Sequence, residues 1–549
     1  MKKIIALLLV LILSLSLCMG CGNGDPAATE KGGIDVASKV SLEIGLPSSA
    51  TVLDYENNAL TYWVEDQTGF DLSFTPFAGG TDVGTQISTN VAARMELPDI
   101  LYDISLGEDV YRGYGHDGYF LDLSKYFDDR EGASKVFWTR FEETFSEEEQ
   151  ADILRKMKDP DTGAIYAVPT LETSLIDVMD YQMWINTEWL DYLNLEMPTN
   201  PDELYEVLVA FRDGDPNQNG KKDEIPLYGG QDAGLGADVV NWVVNMFLYF
   251  NDRKVFNVNE EGILYAPFTT DAYREAMKYL NKLMDEKLML DAVFSATHGE
   301  LRQINTPRSG TPIVGIFAGH LTLHANCDSP LLTQYQSLPP FGNVVYNDNN
   351  CFMTTFITNS CENPDAAFEL LMTLWTEDGS RRLRYGEYGV NWTDPDPGAM
   401  STMGMEAEYK LLRDPMLEQN VCLWSSASCS LNVFSEGETA QLTNLETAGE
   451  VLRSKMHAES RKNYDAAAEK YNPNPELICP TLVYTEEEKE ELESPMTAVT
   501  EYFKKSRTDF AMGALDPNSD ADWNAYLKML NELGLEEWLM VAQMVYDRG

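Results

Sequence analysis

Positive charge is scarce in this chain: 40 Lys and Arg stand against 89 Asp and Glu, a formal charge of −49. So acidic a surface repels nucleic-acid phosphates and anionic lipid headgroups, and excludes both as general partners. Histidine is scarcer, with five in 549 residues (His116, His298, His320, His324 and His457), and no H-E-x-x-H pair to seat a catalytic zinc. The G-x-S-x-G elbow and the G-x-x-x-x-G-K-[ST] loop are missing too, which removes the common hydrolase and NTPase signatures. Gly113-Tyr-Gly-His-Asp-Gly118 matches the dinucleotide pattern by letter, but no strand leads into it and no helix opens after it, so it reads as a loop. The eight cysteines fit no zinc-module spacing. Beyond the N-terminus no apolar run approaches the ~20 residues that a membrane crossing needs.

What is present begins at residue 1. Lys2 and Lys3 precede an apolar run, 4–17, too short to span as a mature helix and of the length of a signal-peptide core. It ends in Leu17-Cys18-Met19-Gly20-Cys21, and a small residue directly before cysteine resembles the lipobox of bacterial lipoproteins. On that reading residues 1–20 are removed and Cys21 carries lipid, since bulky Leu17 makes Cys18 the poorer acceptor; plain secretion is the simpler alternative. Residues 21–39, rich in Gly, Ala and Asp, read as a flexible tether. Cys327, Cys351, Cys361, Cys422, Cys429 and Cys479 remain, with no pairing assigned.

The next segments alternate. Residues 40–46 read as a strand, 57–67 as a helix, 70–75 as a strand, 85–95 as a helix and 98–102 as a strand. Such alternation predicts parallel βαβ units, whose ligands bind beyond the carboxyl ends of the strands, so 45–50 and 103–105 become candidate cleft loops. Further helices are expected at 146–158, 198–211, 238–250, 272–287, 364–374, 486–505, 522–533 and 536–546, and a buried strand at 312–317. No internal repeat is found, and 549 residues imply at least two lobes.

Two features carry chemistry. Asp215, Asn217, Asn219 and Asp223 occupy positions 1, 3, 5 and 9 of a loop with Gly220 at position 6, the spacing that turns alternate side-chain oxygens onto a hard cation. Pro226 stands where an EF-hand places its bidentate Glu; Glu224 and the Lys221 carbonyl complete the expected set, against the alternative of a solvated Asx-rich turn. The second feature is the aromatic residues, whose faces stack on sugar C–H faces while polar neighbours bond hydroxyls. Trp242 beside Asn245, Trp392 in a glycine-punctuated loop and Trp424 before a serine cluster are the candidates, with core packing as the alternative for each. His320 and His324, four apart, suggest cleft lining or, less simply, a metal pair. The candidate ligand contacts are therefore Ser48, Asp103, Glu172, Trp242, Asn245, His320, Trp392 and Trp424.

Several stretches together resemble the family 1 extracellular solute-binding proteins, in the long lipoprotein subgroup that serves carbohydrate ABC importers. They are Leu97-Pro-Asp-Ile, Gly118-Tyr-Phe-Leu-Asp-Leu, Gly163-Ala-Ile-Tyr-Ala-Val-Pro169, Trp184-Ile-Asn-Thr-Glu-Trp, Asn217-Gln-Asn-Gly-Lys-Lys-Asp-Glu-Ile-Pro226, Asn363-Pro-Asp-Ala-Ala-Phe, Tyr385-Gly-Glu-Tyr-Gly-Val-Asn-Trp392 and the terminal 522–548. The resemblance implies an α/β, periplasmic-binding-protein-like fold of two discontinuous lobes joined by hinge strands. The expected boundaries are 40–162 with 312–362, and 163–311 with 363–549. It implies a structural Ca2+ in the Asp215–Glu224 loop and no catalysis. It further implies a monomer on the outer face of the cell membrane, held by its N-terminal lipid alone, that captures a carbohydrate for the transmembrane subunits of an ABC permease. A peptide or other non-sugar solute in the same fold, and a secreted polysaccharide-acting enzyme or surface adhesin, are the competing readings.

Overall fold

Leu42, Ile44 and Leu46 alternate with Ser41 and Glu43, and that period of two builds the first strand with its apolar side chains buried. In the computed structural model this is β1 (Ser41–Pro47), and residues 39–548 are described except 51, 79–82, 175, 177, 232, 235, 327–328, 348–350, 402, 414–422, 425–429, 433–438 and 443–447. Cys21, the expected signal peptide, nearly all of the tether, and Cys327, Cys422 and Cys429 lie outside the described residues. Among the described ones, Cys351, Cys361 and Cys479 are free thiols.

Nine further strands place the site: β2 (Asp71–Phe77), β3 (Ile100–Leu101), β4 (Val168–Glu172), β5 (Met183–Asn186), β6 (Ile225–Tyr228), β7 (Val314–Ala318), β8 (Tyr335–Ser337), β9 (Cys351–Ile357) and β10 (Leu431–Asn432). They form a six-stranded sheet in the order β10-β4-β9-β3-β1-β2 and a four-stranded sheet in the order β8-β5-β7-β6. In the first sheet β2, β1 and β3 run parallel, β9 runs against β3 and β4, and β10 is parallel to β4. In the second, β6 and β7 are parallel and β5 runs against both β7 and β8. A small three-stranded sheet (Trp392–Thr393, Tyr409–Leu411, Ala440–Leu442) has its own core of Tyr385, Trp392, Tyr409 and Leu411.

The helices follow their caps. In chain order the ones used below are α1 (Ala59–Thr68), α2 (Val83–Ala92), α3 (Glu108–His116), α4 (Glu147–Met157), α5 (Pro201–Asp213), α6 (Val239–Asn245), α7 (Asp271–Asp285), α8 (His298–Asn305), α9 (Pro364–Leu374), α10 (Ala448–Tyr471), α11 (Glu486–Ala511), α12 (Asp520–Glu532) and α13 (Leu535–Arg548). Asn200 caps α5 by accepting from the amides of Asp202 and Glu203, with Pro201 in the first turn where no amide is needed. Ser146 and Glu149 close a reciprocal capping box on α4. α1 and α9 pack together on the first sheet's core, and α7, α11 and α13 pack in the second.

Three sequence expectations are corrected here. The lobe boundaries shift: β4 lies in the first sheet, β7 and β8 in the second, and α9 and β10 in the first lobe. A wholly buried strand such as β7 carries the same apolar pattern whichever sheet it joins, so periodicity cannot name its neighbours. The Gly113–Gly118 run, expected as a loop, contains the last turns of α3, and a Cβ at Gly115 would lie 2.5 Å from the Tyr166 ring, so that glycine serves helix packing. Finally α10, 24 residues long, was not anticipated, because its apolar residues are spread around the helix without forming one stripe.

Candidate functional site

Strand direction decides where the two sheets meet. β4 leaves the first sheet at its carboxyl edge, at Glu172. After residues 173–182 the chain enters β5, whose first residue Met183 pairs with Ala318, the last of β7. The crossover therefore joins the carboxyl edge of one sheet to the carboxyl edge of the other. The return passage repeats this: β8 ends at Ser337 opposite Trp184, and β9 begins at Cys351 opposite Leu171. Both passages tie together the edges where parallel α/β sheets carry their binding loops. They also pair with each other, through the Met179–Tyr346 bridge and the Asn347 amide on Val178 O at 2.7 Å. Tyr464 of α10 clamps the pair, its hydroxyl donating to Val345 O and accepting from the Asp180 amide at 3.1 Å.

On the first-lobe edge the loops are fixed by backbone. The Ser48 amide donates to Phe77 O at 2.7 Å, and the Tyr102 amide to Gly45 O at 2.8 Å. Gly45 is required by closeness: a Cβ there would stand 2.7 Å from Phe77 and 2.8 Å from Pro98. Asp103 turns the chain at φ 56°, its amide donating to Thr355 Oγ1 at 3.2 Å. Ser48 and Glu172 are exposed and Asp103 is half-buried. Tyr55, half-buried, accepts the Ser49 amide at 2.9 Å and adds an aromatic face beside this edge.

The second-lobe edge consists of the loop after β6, 229–238, and the turn after β7, 319–324. The Gln182 amide donates to Gly236 O and the Gly319 amide to Gln182 O, both at 2.9 Å, so the hinge segment is sewn into both loops. Four of the five histidines gather here. The His320 amide donates to His324 Nδ1 at 3.0 Å, so the ring proton of neutral His324 sits on Nε2. That nitrogen is 3.1 Å from Ala233 O and 2.8 Å from His298 Nδ1. The His320 ring lies 4.7 Å from that of His457 on α10. Burial, with His298 and His320 beside it, brings the His324 pKa down to about 4, and burial holds His457 well below the usual histidine range.

Of the eight expected ligand contacts, Ser48, Asp103, Glu172 and His320 stand at these two edges. The other four are corrected to core positions. Trp424 is fully buried, donates to Thr61 Oγ1 at 2.8 Å, and meets Phe74 and Tyr102 edge to face. Trp242 packs on Phe341, and Trp392 is buried in the small sheet's core with its indole N–H on Gly386 O at 2.9 Å. Asn245 spends its amide on its own lobe, donating to Asn241 O and Phe250 O and accepting from the Phe250 amide. Loop composition misled here: a large indole with few polar atoms is more easily buried than presented. Tyr55, His298 and His457 were the residues missed. Tyr55 carried a usable signal, following β1 at its carboxyl end; His298 and His457 carried none, because they come from segments distant from the His320–His324 pair.

The Asp215–Glu224 loop joins α5 to β6. Asp215, Gln218 and Gly220 adopt positive φ of 46°, 57° and 73°, which curls the loop. Asp215 Oδ1 accepts the Asn219 amide, and Asn217 Oδ1 accepts it too. Asn217 and Asn219 also aim their amide groups at Asp223 Oδ1. Glu224 Oε1 is buried and meets no hydrogen-bond donor. Burial, and then the carboxylates of Asp215 and Asp223, push its pKa up. A buried oxygen short of a donor among other carboxylates is the donor set that a hard divalent cation completes. His116, Asp159 and Asp161 also lie close enough to share an ion. There the Asp159 carboxylate is already satisfied by Thr162, the Asp161 amide and His116, so nothing in its bonding asks for a metal.

On the side of α3 and α4 a groove of about 860 Å3 runs between the lobes, bordered by Asp109, Lys156, Arg253, Phe256 and Lys489. It is bridged by Arg155 to Thr481 O (3.0 Å), the Glu486 amide to Asp161 Oδ2 (3.1 Å) and the Lys489–Asp109 pair. Only the Lys489–Asp109 contact is an ion pair, and an exposed pair of this kind contributes roughly 0–1 kcal/mol.

No family model matches the chain. Over 98% of its length it is 22% identical to the fructooligosaccharide ABC transporter substrate-binding protein FusA of Streptococcus pneumoniae, spanning 97% of that protein. An HMO-binding, ABC-transporter-associated solute-binding protein from Bifidobacterium longum infantis superimposes with a TM-score of 0.72, at 20% identity over 93% of this chain and 99% of that one. The chain has the two-lobed solute-binding-protein fold. Its relatives are ABC-transporter substrate-binding proteins, and a FusA structure described as an EF-hand mutant in complex with fructo-nystose superimposes at 0.66, with 19% identity over 92% of this chain and 99% of that one. In this solute-binding fold the gap between the two carboxyl edges is the candidate site.

Proposed function

We propose that this chain is the substrate-binding component of an ABC importer and captures an oligosaccharide between its lobes by hinge closure. The observation that supports the reading is topological: β4 to β5 and β8 to β9 each run from carboxyl edge to carboxyl edge, and the loops bearing Ser48, Asp103, Glu172 and His320 follow strands at those edges. Those groups, with the Tyr55 face, offer the mixture of hydrogen-bonding side chains and aromatic surface that a sugar takes. Closure would bury the sugar, and the closed state would be the form that the transmembrane subunits of the permease accept. The whole-length likeness to FusA supports a sugar over a peptide.

The loop from Asp215 to Glu224 would hold Ca2+ through Asp215, Asn217, Asn219, Asp223, Glu224 and the Lys221 carbonyl. The ion would be structural, tying the end of α5 to β6 on the far side of the lobe from β6's carboxyl edge. Cys21 would carry lipid and hold an otherwise monomeric protein on the outer face of the cell membrane, with residues 21–39 as spacer. The test is calorimetry of the purified chain against kestose, nystose, a milk oligosaccharide and an oligogalacturonate, with product analysis after long incubation. Binding of one of them without turnover is expected. Turnover, or binding of none, would overturn the reading.

A further inference from the structure

Resting on the gap between the lobes as the ligand site, we infer that the sugar it takes is acidic, an oligosaccharide carrying carboxylate or sulfate-ester groups. The chain as a whole has more than two carboxylates for each Lys or Arg, 89 against 40. Around residues 480–484 the balance reverses. Thr481, Leu482 and Val483 border three cavities. The largest, about 860 Å3, is lined by five Lys and Arg and four Asp and Glu. The one at the ends of α4 and α13, about 250 Å3, is lined by Arg155, Lys158 and Arg548 and, among the described residues, by no carboxylate. The third, about 310 Å3, reaches the first-lobe edge. Its lining includes Ser105, two residues past Asp103, and Cys351, which pairs with Leu171 beside Glu172.

Helix ends explain only part of this. The negative end of a helix favours a cation, which accounts for Arg155 and Lys156 on α4 and Arg548 on α13. It does not account for Arg253 and Lys254, in the turn after α6, or for Lys504 within α11. Lys489 stands near the positive end of α11, where a cation is disfavoured. The carboxylates of the wall are largely engaged: Glu108 with Arg112 at 2.6 Å, Asp109 with Lys489, and Asp252 at 3.9 Å from Arg507, which leaves Glu493. The carboxylates that hold the cations stand outside the cavity linings, Asp152 with Arg155 and Lys156, Asp180 with Arg253, and Glu488 with Arg548. Such pairs fix the side chains and leave donors over, since a guanidinium has five N–H and an ammonium three. Lys158 and Lys504 are exposed and, among the described residues, form no ion pair. A chain of charge −49 repels an anion on average, whereas a cleft lined by cations between protein walls focuses the field and draws one in. Leu482, Val483 and Met496, half-buried along the largest cavity, offer the apolar surface that sugar C–H faces need.

The test is calorimetry of the full chain against tetragalacturonate, its full methyl ester, a sulfated κ-carrageenan tetrasaccharide, kestose and a neutral milk oligosaccharide. The ester keeps the galacturonate backbone and removes its charge. The expected result is that one of the two acidic probes binds about tenfold tighter than any neutral one, a difference of about 1.4 kcal/mol. Raising NaCl from about 0.05 M to about 0.5 M should weaken that binding severalfold, because it shortens the reach of the cations. Preference for tetragalacturonate would name carboxylates as the groups read, and preference for the carrageenan would name sulfate esters. The double variant Lys158→Gln/Lys504→Gln changes two exposed side chains, so its Tm should stay at the wild-type value while affinity for the acidic probe falls roughly threefold. Equal affinity for acid and ester, binding indifferent to salt, or unchanged affinity in the double variant would overturn the inference. Binding of a neutral sugar with neither acidic probe would overturn it too and leave the proposed function standing. Failure of all five to bind would overturn both.

Discussion

On the first-lobe edge the loops after β1 and β3 are held by main-chain bonds and close backbone packing, Ser48 on Phe77 and Tyr102 on Gly45. On the second-lobe edge the main-chain bonds of Gln182 to Gly236 and of Gly319 to Gln182 are joined by a run of imidazoles from His298 through His324 to His320 and His457. The same two passages join both edges. The first is held through its backbone, the second through backbone and buried imidazoles together.

The predictions that break or sharpen this contrast begin with the largest effect. Trp424→Ala removes the indole beneath the first-lobe edge and should cost about 3–5 kcal/mol in urea unfolding. A loss of sugar affinity with unchanged stability would instead return Trp424 to the ligand. Next comes the second-lobe edge. The folded His324 pKa is lowered to about 4, so the unfolded chain takes up its proton first. Stability should therefore fall as pH drops from 6.5 towards 4, by about 3 kcal/mol in all, and His324→Asn should flatten that part of the profile. Away from either edge, free Ca2+ at a hundred times its Kd should add about 2.7 kcal/mol. Chelator should lower Tm and Glu224→Gln should blunt the response, while an identical melt with and without chelator would remove the ion from the account. Gly45→Ala tests the first-lobe edge: a Cβ against Phe77 and Pro98 should cost about 1–3 kcal/mol, with no change of slope between pH 7 and 4. Smallest in stability is Ser48→Ala, exposed at the first edge, expected within about 0.5 kcal/mol of wild type while weakening sugar binding by calorimetry.

Much of the fold was legible. The period-two run of β1, the Asn200-Pro201 start of α5 and the amphipathic α7 each state their structure locally, because caps and periodicity act within a few residues. The partners of β4 and β7 were not legible, since a buried strand pairs by tertiary fit. At the site, Ser48 and Asp103 could be read from their place after parallel strands, and the curled Asp215–Glu224 loop from its spacing. The three tryptophans could not be read in the same way, because a side chain's burial depends on what another part of the chain lays over it: Thr61 and Tyr102 cover Trp424, and Phe341 lies against Trp242. The spacing of His320 and His324 was legible, but that His298 and His457 join them was not, for the same reason.

The central claim is that a sugar closes the two edges on each other. Small-angle scattering of the full chain, titrated with the oligosaccharide that binds most tightly in the calorimetric panel, tests it most directly. A radius of gyration that falls with saturation and levels at the calorimetric stoichiometry is the predicted result. Saturation with no change in radius would contradict capture by hinge closure between these lobes.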